Sequence, residues 1–160
     1  AFLTAAMTIG SLSGVTVFAA DASTDENVEM ADASDVDGTT ITFWHSMGGV
    51  NGEAIDTLVK KFNDENEYGI TVDAQYQGEY DDSLNKLKSA QIGNMGADLV
   101  QVYEIGTRFM IDSGWIVPMQ QMIDTDSYDV SEIEPNLAAY YTIDNELYSM
   151  PFNSSTPIMY

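Results

Sequence analysis

Strand-like and helix-like segments alternate along the chain from Thr40 onward, and this alternation is the strongest constraint on its fold. Short runs of β-prone residues are each followed by a stretch in which apolar residues recur at helical spacing. Consecutive parallel strands need a long crossover, usually a helix, so this order predicts an α/β fold with a mostly parallel sheet flanked by helices. The predicted strands cover residues 41–44, 69–74 and 98–103, and the predicted helices cover residues 55–62, 80–91 and 105–113.

The first predicted helix has a clear apolar face. Ile55, Leu58, Val59 and Phe62 recur at the spacing of one helix face, which we expect to be buried. The glycine-rich residues 48–52 precede this helix and are expected to form a loose turn. They lack the lysine and the serine or threonine of a phosphate-binding P-loop.

Polar residues mark two further boundaries. Asp81 or Asp82 is expected to cap the second helix. Residues 141–150 place two short β-prone runs on either side of Asp144, Asn145 and Glu146, which predicts a hairpin.

The chain carries a formal net charge of −21, with only five lysine and arginine residues. A surface this acidic repels phosphate backbones and anionic lipid headgroups, so we predict no binding to nucleic acid and no insertion into a membrane. The sequence contains no cysteine, so this stretch of chain has no disulfide, no cysteine zinc site and no cysteine for lipidation. Neither a cofactor nor a metal ion is predicted.

The amino-terminal part differs in composition from the rest. Residues 1–20 include a short apolar, small-residue run that is too short to span a bilayer, and we interpret them as a signal peptide truncated at its start rather than as a buried helix. Residues 21–38 are acidic and nearly free of large apolar side chains, which predicts a disordered linker. A calcium loop would place Ala33 and Trp44 where carboxylates are required, so that alternative fails.

Ligands of parallel α/β sheets bind beyond the carboxyl ends of the strands. Three segments follow predicted strand ends here, namely residues 45–47, 77–80 and 104–106. The single histidine, His45, lies in the first of them, but a lone histidine is more often structural than catalytic. No serine lies in the G-x-S-x-G sequence of many hydrolases, so a catalytic triad has little support.

Glu104 is the most informative residue of the third segment. A carboxylate at a strand end could accept charge-assisted hydrogen bonds from ligand hydroxyls. The aromatic residues Trp44, Tyr80 and Tyr103 could offer apolar faces to a polyol or a sugar, although most such aromatics are core residues. Glu104 could alternatively be the acid or nucleophile of a secreted carbohydrate-active enzyme, but no partner carboxylate is identifiable from the sequence.

Four motifs together resemble the extracellular solute-binding proteins of ABC importers, family 1. Within that family the resemblance is greatest to the members that bind sn-glycerol-3-phosphate, and it runs from about Thr40 to Tyr160. The motifs are FWHSM at residues 43–47, GEY at 78–80, QVYEIGT at 101–107 and PFNSSTPIMY at 151–160.

The resemblance implies a periplasmic-binding-protein-like fold of class II. Residues 39–160 would be the incomplete N-terminal lobe of a two-lobe protein, ending at the first hinge crossing. In this picture residues 150–153 are the first hinge strand, and residues 157–160 begin the strand that enters the second lobe. The lobes would close over a small ligand, and no reaction would be catalysed.

The resemblance also implies ligand contacts, partners and a location. Tyr80, Glu104 and Ser155 would bind the ligand, and the cleft would also be lined by Trp44, His45 and Ser154. The ligand would be sn-glycerol-3-phosphate, a related glycerophosphodiester or a neutral oligosaccharide. It would be delivered to the permease subunits of an ABC transporter outside the cytoplasm. An anionic ligand conflicts with the acidity of this chain, so cations or N–H donors must come from elsewhere.

Overall fold

The computed structural model describes residues 33–93, 95–155 and 158–159. These residues form two compact units, one containing the described residues up to Gly106 and one containing those from Thr107 onward. The predicted signal peptide and most of the predicted linker lie outside the described residues. The last part of that linker, residues 33–38, includes a single helical turn, α1, in which Val36 is buried.

The first unit is an α/β unit built on a three-stranded parallel sheet in the order β2 (Thr71–Tyr76), β1 (Thr40–His45) and β3 (Leu99–Val100). β1 pairs with β2 from Thr40 opposite Thr71 to His45 opposite Tyr76, whereas β3 pairs only two residues with β1. The predicted parallel sheet with helical crossovers is thereby confirmed. The elements after α1 (Ala33–Val36) are β1 (Thr40–His45), α2 (Gly49–Glu65), β2 (Thr71–Tyr76), α3 (Tyr80–Ile92), β3 (Leu99–Val100) and a 3-10 turn (Glu104–Gly106).

Helix α2 covers the sheet with a narrower apolar face than the sequence predicts. Ile55 is buried together with Phe43 and Met47, and Val59 packs against this cluster. Leu58, in contrast, is 61% exposed, so its predicted burial is wrong. It lies about 60° around the helix from Ile55, at the margin of the apolar face.

Two predicted helix starts need correction. α2 begins at Gly49, so most of the expected loose turn is helical, and a Cβ atom at Gly52 would lie 2.8 Å from the carbonyl oxygen of Met47. Asp81 and Asp82 do not cap α3, because the N-cap position is Glu79 and both aspartates lie in the first turn. Carboxylates in that turn still interact favourably with the helix dipole.

The second unit consists of three short helices and a hairpin. The elements are α4 (Thr107–Ser113), α5 (Met119–Asp126), α6 (Pro135–Tyr140), β4 (Thr142–Ile143) and β5 (Glu146–Leu147). The hairpin is confirmed, and its turn residues Asp144 and Asn145 have φ values of 54° and 70°, as a type I′ turn requires. Residues 150–153 form no strand, and Pro151 has no N–H group to donate to one.

The helices of the described ranges are all too short or too polar to cross a lipid bilayer.

Leu87 on α3 provides a test of the core. Its side chain is 1% exposed, so Leu87→Ala should lower the free energy of unfolding by about 2–5 kcal/mol. The same substitution at the exposed Leu58 should change it by less than about 0.5 kcal/mol. Chemical denaturation of both variants measures the difference. Equal losses would contradict the positions assigned to the two leucines.

Candidate functional site

The segments that follow the three strands are joined by hydrogen bonds at the carboxyl end of the sheet. The N–H of Gln77, after β2, donates to the carbonyl of His45 at 2.9 Å, and the N–H of Gln101, after β3, donates to the carbonyl of Trp44 at 2.8 Å. The Gln101 side chain also accepts a hydrogen bond from the N–H of Ser46 at 3.0 Å. This role of Gln101 is not predictable from the sequence, because a glutamine that binds a neighbouring loop has no sequence signature.

His45 ends β1 and is 3% exposed. Its ring lies 5.5 Å from the ring of Phe43 and 6.0 Å from that of Tyr76, measured between centroids. Nδ1 accepts a hydrogen bond from the N–H of Met47 at 3.3 Å, so the neutral ring carries its proton on Nε2. Burial lowers the pKa of His45 below its usual 6.5, although the negative charge of Asp56 opposes the shift.

Trp44 is half-buried, and its side chain points to the face of the sheet opposite that of His45 because strand residues alternate. Its indole N–H donates to Oε1 of Gln75 at 3.1 Å, across the β1–β2 pair. Trp44 therefore helps to hold these strands together.

Tyr80 and Tyr103 form a stacked pair. Their ring centroids are 5.4 Å apart and the ring planes differ by 8°. Tyr80 is the first residue of α3 and also packs against the apolar cluster of Phe43, Met47 and Ile55. Tyr103 lies beyond β3, so the pair brings together the segments that follow the two outer strands.

A carboxylate holds the hydroxyl of Tyr103. The hydroxyl donates to Oδ1 of Asp81 at 2.5 Å. This hydrogen bond to a charged acceptor stabilises the protonated phenol and raises the pKa of Tyr103 above its usual 10.0, with a smaller effect from the charge of Glu104.

Glu104 begins the 3-10 turn and is exposed to solvent. The tight packing of this turn depends on Gly106, which is buried. A Cβ atom there would lie 2.6 Å from a methyl group of Val102 and 3.5 Å from Leu84. The glycine of the QVYEIGT motif thus lets the turn pack against α3. Glu104 lies close enough to Tyr103 for its negative charge to contribute to the raised pKa of that tyrosine.

The remaining predicted site residues are in the second unit. Ser154 and Ser155 are exposed and lie in a segment without regular secondary structure. The structure brings Trp44, His45, Tyr80 and Glu104 to one end of the first unit's sheet, and the contribution of the two serines stays a prediction.

Two serine hydroxyls of the first unit are buried. Ser46 Oγ and Ser83 Oγ have no hydrogen-bond partner within the described part of the chain. Ser46 follows β1 directly and is 8% exposed, so it belongs to the same end of the sheet as His45. The sequence predicts Ser46 in the segment that follows the first strand, but nothing in it indicates that the hydroxyl is buried.

Basic side chains of the structure are engaged with acids or carbonyls. Lys60, Lys61 and Arg108 each pair with the acid four residues later on their own helix, at 2.6, 3.9 and 2.7 Å respectively. Lys86 donates to the carbonyl of Gln77 at 2.8 Å. No cluster of three or more histidine, aspartate or glutamate side chains suited to a metal ion occurs in the residues that the structure describes.

The arrangement fits binding of a hydroxyl-rich ligand. Glu104 is solvent-accessible and follows Tyr103 of the stacked aromatic pair in the chain, and the one histidine is buried with a lowered pKa. Such a carboxylate accepts strong hydrogen bonds from hydroxyl groups, and the aromatic rings offer apolar faces.

Residues 57–160 match the family model described as "Bacterial extracellular solute-binding protein". Among curated proteins, the sn-glycerol-3-phosphate-binding periplasmic protein UgpB of Salmonella paratyphi A is 40% identical over 128 residues, which cover 76% of this chain and 28% of that protein. The UgpB protein of Escherichia coli K12 is 39% identical over 128 residues, with the same coverage. The chain therefore spans less than a third of the length of these relatives.

Solved structures share the fold at lower identity. The sugar-binding protein MalE of Xanthomonas citri is 24% identical with a TM-score of 0.61, and the match covers 71% of this chain and 28% of that one. The cyclic alpha-maltosyl-1,6-maltose binding protein of Arthrobacter globiformis is 22% identical with a TM-score of 0.60 and the same coverage. The periplasmic-binding-protein-like fold class is confirmed by these structures.

The lowered pKa of His45 has a measurable consequence. Because this is the only histidine of the chain, its ring protons give a single, unambiguous NMR titration curve. We expect a midpoint below 6.5 in the folded protein. A midpoint at or above that value would contradict the burial of the ring.

The same shift predicts how stability depends on pH. His45 binds a proton more tightly in the unfolded chain than in the folded protein. The contribution of its neutral ring to the free energy of unfolding is therefore complete above pH 6.5 and is lost as pH falls towards the folded-state pKa. His45→Gln should make the free energy of unfolding less dependent on pH in that window, and it should not change the dependence outside the window. Unfolding of both proteins over a pH series measures this, and parallel profiles would refute it.

Proposed function

The chain belongs to the family of bacterial extracellular solute-binding proteins, and from this premise we propose that it captures sn-glycerol-3-phosphate or a related glycerophosphodiester for an ABC importer. The observation that carries the proposal is the exposed Glu104, which directly follows Tyr103 of the stacked Tyr80–Tyr103 pair at the carboxyl end of the sheet. Relatives at about 40% identity are named as sn-glycerol-3-phosphate-binding proteins, which supports this ligand.

Each site residue has a role in the proposal. Glu104 accepts hydrogen bonds from the glycerol hydroxyls, and Tyr80 donates one from its phenol. Ser155 donates a hydrogen bond to the phosphate, and Trp44, His45 and Ser154 line or support the cleft. The glycerol end of the ligand, rather than the phosphate, faces the sheet of the first unit, because a carboxylate there repels an anion.

We propose the partners and the location that are typical of the family. The protein acts outside the cytoplasm, closes over its ligand by a hinge motion and delivers it to the permease subunits of the transporter. Binding and release complete this function without a chemical step. The curated relatives are themselves named as periplasmic binding proteins, which supports a location outside the cytoplasm.

A neutral oligosaccharide is the second candidate ligand. The stacked tyrosine pair favours it, because aromatic rings offer apolar faces to sugar rings, and a neutral ligand removes the repulsion from Glu104. The proteins of Xanthomonas citri and Arthrobacter globiformis that share the fold are named as sugar-binding and maltosyl-maltose-binding proteins, which supports the same candidate.

Calorimetry on the full-length protein tests the proposal. We expect heat of binding with sn-glycerol-3-phosphate or a glycerophosphodiester, and none with malto-oligosaccharides. Heat with malto-oligosaccharides alone would favour the second candidate. No heat with any of these ligands would overturn the proposed function.

Glu104→Gln tests the role of the carboxylate. A hydrogen bond to a charged group contributes about 1.5–3 kcal/mol and one between neutral groups about 0.5–1.5 kcal/mol. The glutamine amide still accepts a hydrogen bond, so only this difference is lost and affinity for sn-glycerol-3-phosphate should fall roughly 5- to 10-fold. Binding of inorganic phosphate, which has no glycerol hydroxyls, should not weaken.

Glu53→Gln on α2 is the matched control, since Glu53 is also exposed and carries the same charge. It should leave the affinity for sn-glycerol-3-phosphate within about twofold. Equal losses for phosphate and for glycerol-3-phosphate in Glu104→Gln would refute the proposed role of the carboxylate.

A further inference from the structure

Two consecutive residues of α3 hold the same tyrosine. The ring of Tyr80 stacks on the ring of Tyr103 at a centroid distance of 5.4 Å. The carboxylate of Asp81 accepts a hydrogen bond from the hydroxyl of Tyr103 at 2.5 Å. Ring stacking and the hydrogen bond act at different atoms of one side chain. Together they fix both the plane of the Tyr103 ring and its direction.

This contact crosses the end of the central strand. Tyr80 and Asp81 follow β2, whereas Tyr103 follows β3, and β1 lies between those strands in the sheet. Neighbouring strands are about 4.8 Å apart, so the two segments leave the sheet roughly 10 Å from each other. The contact therefore links two segments whose strands share no backbone hydrogen bonds with each other.

The contact also connects the two ligand residues proposed for the first unit. Tyr80 is one member of the stacked pair, and Glu104 is the residue next to Tyr103. Release of the Tyr103 side chain would remove the stack on Tyr80 and the side-chain contacts that tie the segment before Glu104 to α3. Both residues thus depend on the placement of one tyrosine.

This contact contributes little to the stability of the fold. The hydrogen bond is exposed to solvent, where water competes for both partners, and exposed interactions of this kind contribute little to folding. A fixed geometry between two binding groups increases ligand affinity instead, because the groups need not be ordered, at a cost in entropy, when the ligand binds.

We propose that Asp81 and Tyr103 are positioning residues that set the separation of Tyr80 and Glu104 and thereby the affinity of the site for hydroxyl-rich ligands. This inference rests on the proposed function, because it assigns the two residues a role in the same site. Neither residue needs to touch the ligand.

Calorimetry with sn-glycerol-3-phosphate on variants of the full-length protein tests the proposal. Tyr103→Phe keeps the ring and removes the hydroxyl, and Asp81→Ala removes the acceptor. Each should weaken binding on the order of 3- to 10-fold, the cost of ordering one or two side chains at the moment of binding. The double variant should be no weaker than either single variant, because both changes remove the same hydrogen bond.

Two further variants show whether Asp81 acts through its hydrogen bond to Tyr103 or through its negative charge. Asp81→Asn keeps a side-chain oxygen that can accept the hydrogen bond, so it should retain most of the affinity that Asp81→Ala loses. Asp82→Asn removes the same charge in the same helical turn and should leave affinity within about twofold. Thermal unfolding of every variant without ligand should show nearly unchanged stability.

A spectroscopic titration provides an independent signature of the hydrogen bond. The difference in ultraviolet absorbance between the parent protein and Tyr103→Phe isolates the ionisation of the Tyr103 phenol. Its midpoint should lie above 10.0 and should fall towards that value in Asp81→Ala. A midpoint that does not respond to Asp81→Ala would overturn the assignment.

The outcomes distinguish this inference from the proposed function. If the parent protein binds sn-glycerol-3-phosphate and Tyr103→Phe behaves like Asp82→Asn, the positioning role is wrong and the proposed function stands. Affinity that falls only in step with the unfolding temperature would show a purely structural contact and would also overturn the inference. If the parent protein binds no ligand, the proposed function fails and the inference fails with it.

Discussion

The parallel pairing of β1 with both of its neighbours determines where the groups of the candidate site lie. β1 shares six paired positions with β2 and two with β3, and the three strands run in the same direction. Their carboxyl ends therefore meet at one edge, and the segments that follow them are brought together. His45, Tyr80 and Glu104 come from positions far apart in the sequence and reach that edge only because of this pairing.

Much of the first unit could be predicted from the sequence. The strands around Phe43 and Val72 and the helices around Ile55 and Leu87 follow from residue periodicity, because burial of one face imposes that periodicity. In the second unit, the hairpin at Asp144 and Asn145 is also predictable, because few residues adopt the backbone conformation of its turn.

The errors occur where tertiary contacts decide the outcome. Leu58 belongs to the apolar face by spacing alone, but the three-stranded sheet does not cover the margin of α2 where it lies. Asp81 has the residue type of a helix cap, yet its carboxylate accepts the hydrogen bond of Tyr103, 22 residues away. α5 and α6 carry too weak a pattern to be predicted, and α6 begins where the Glu134 carboxylate accepts hydrogen bonds from the N–H groups of Asn136 and Leu137.

The candidate site could be predicted in part, for a related reason. The placement of Glu104 and Tyr80 at the end of the sheet follows from the sequence, because each lies after a strand in a recognisable motif. Gln101 was missed as a binding partner of Ser46, and the stacking of Tyr103 on Tyr80 was not predicted, since both contacts depend on the distance between loops. The acidity of the chain is visible from composition, and it favours a hydroxyl group rather than an anion as the partner of Glu104.

Hydrogen exchange of the full-length protein with and without sn-glycerol-3-phosphate tests the central claim most directly, namely that the carboxyl end of this sheet contacts the ligand. The account predicts that amides of residues 45–48, 77–82 and 101–106 exchange more slowly when the ligand is bound. The amides at the opposite end of the sheet, at residues 38–41 and 69–72, should be unaffected. Slower exchange at that opposite end, with no change at residues 101–106, would contradict the account.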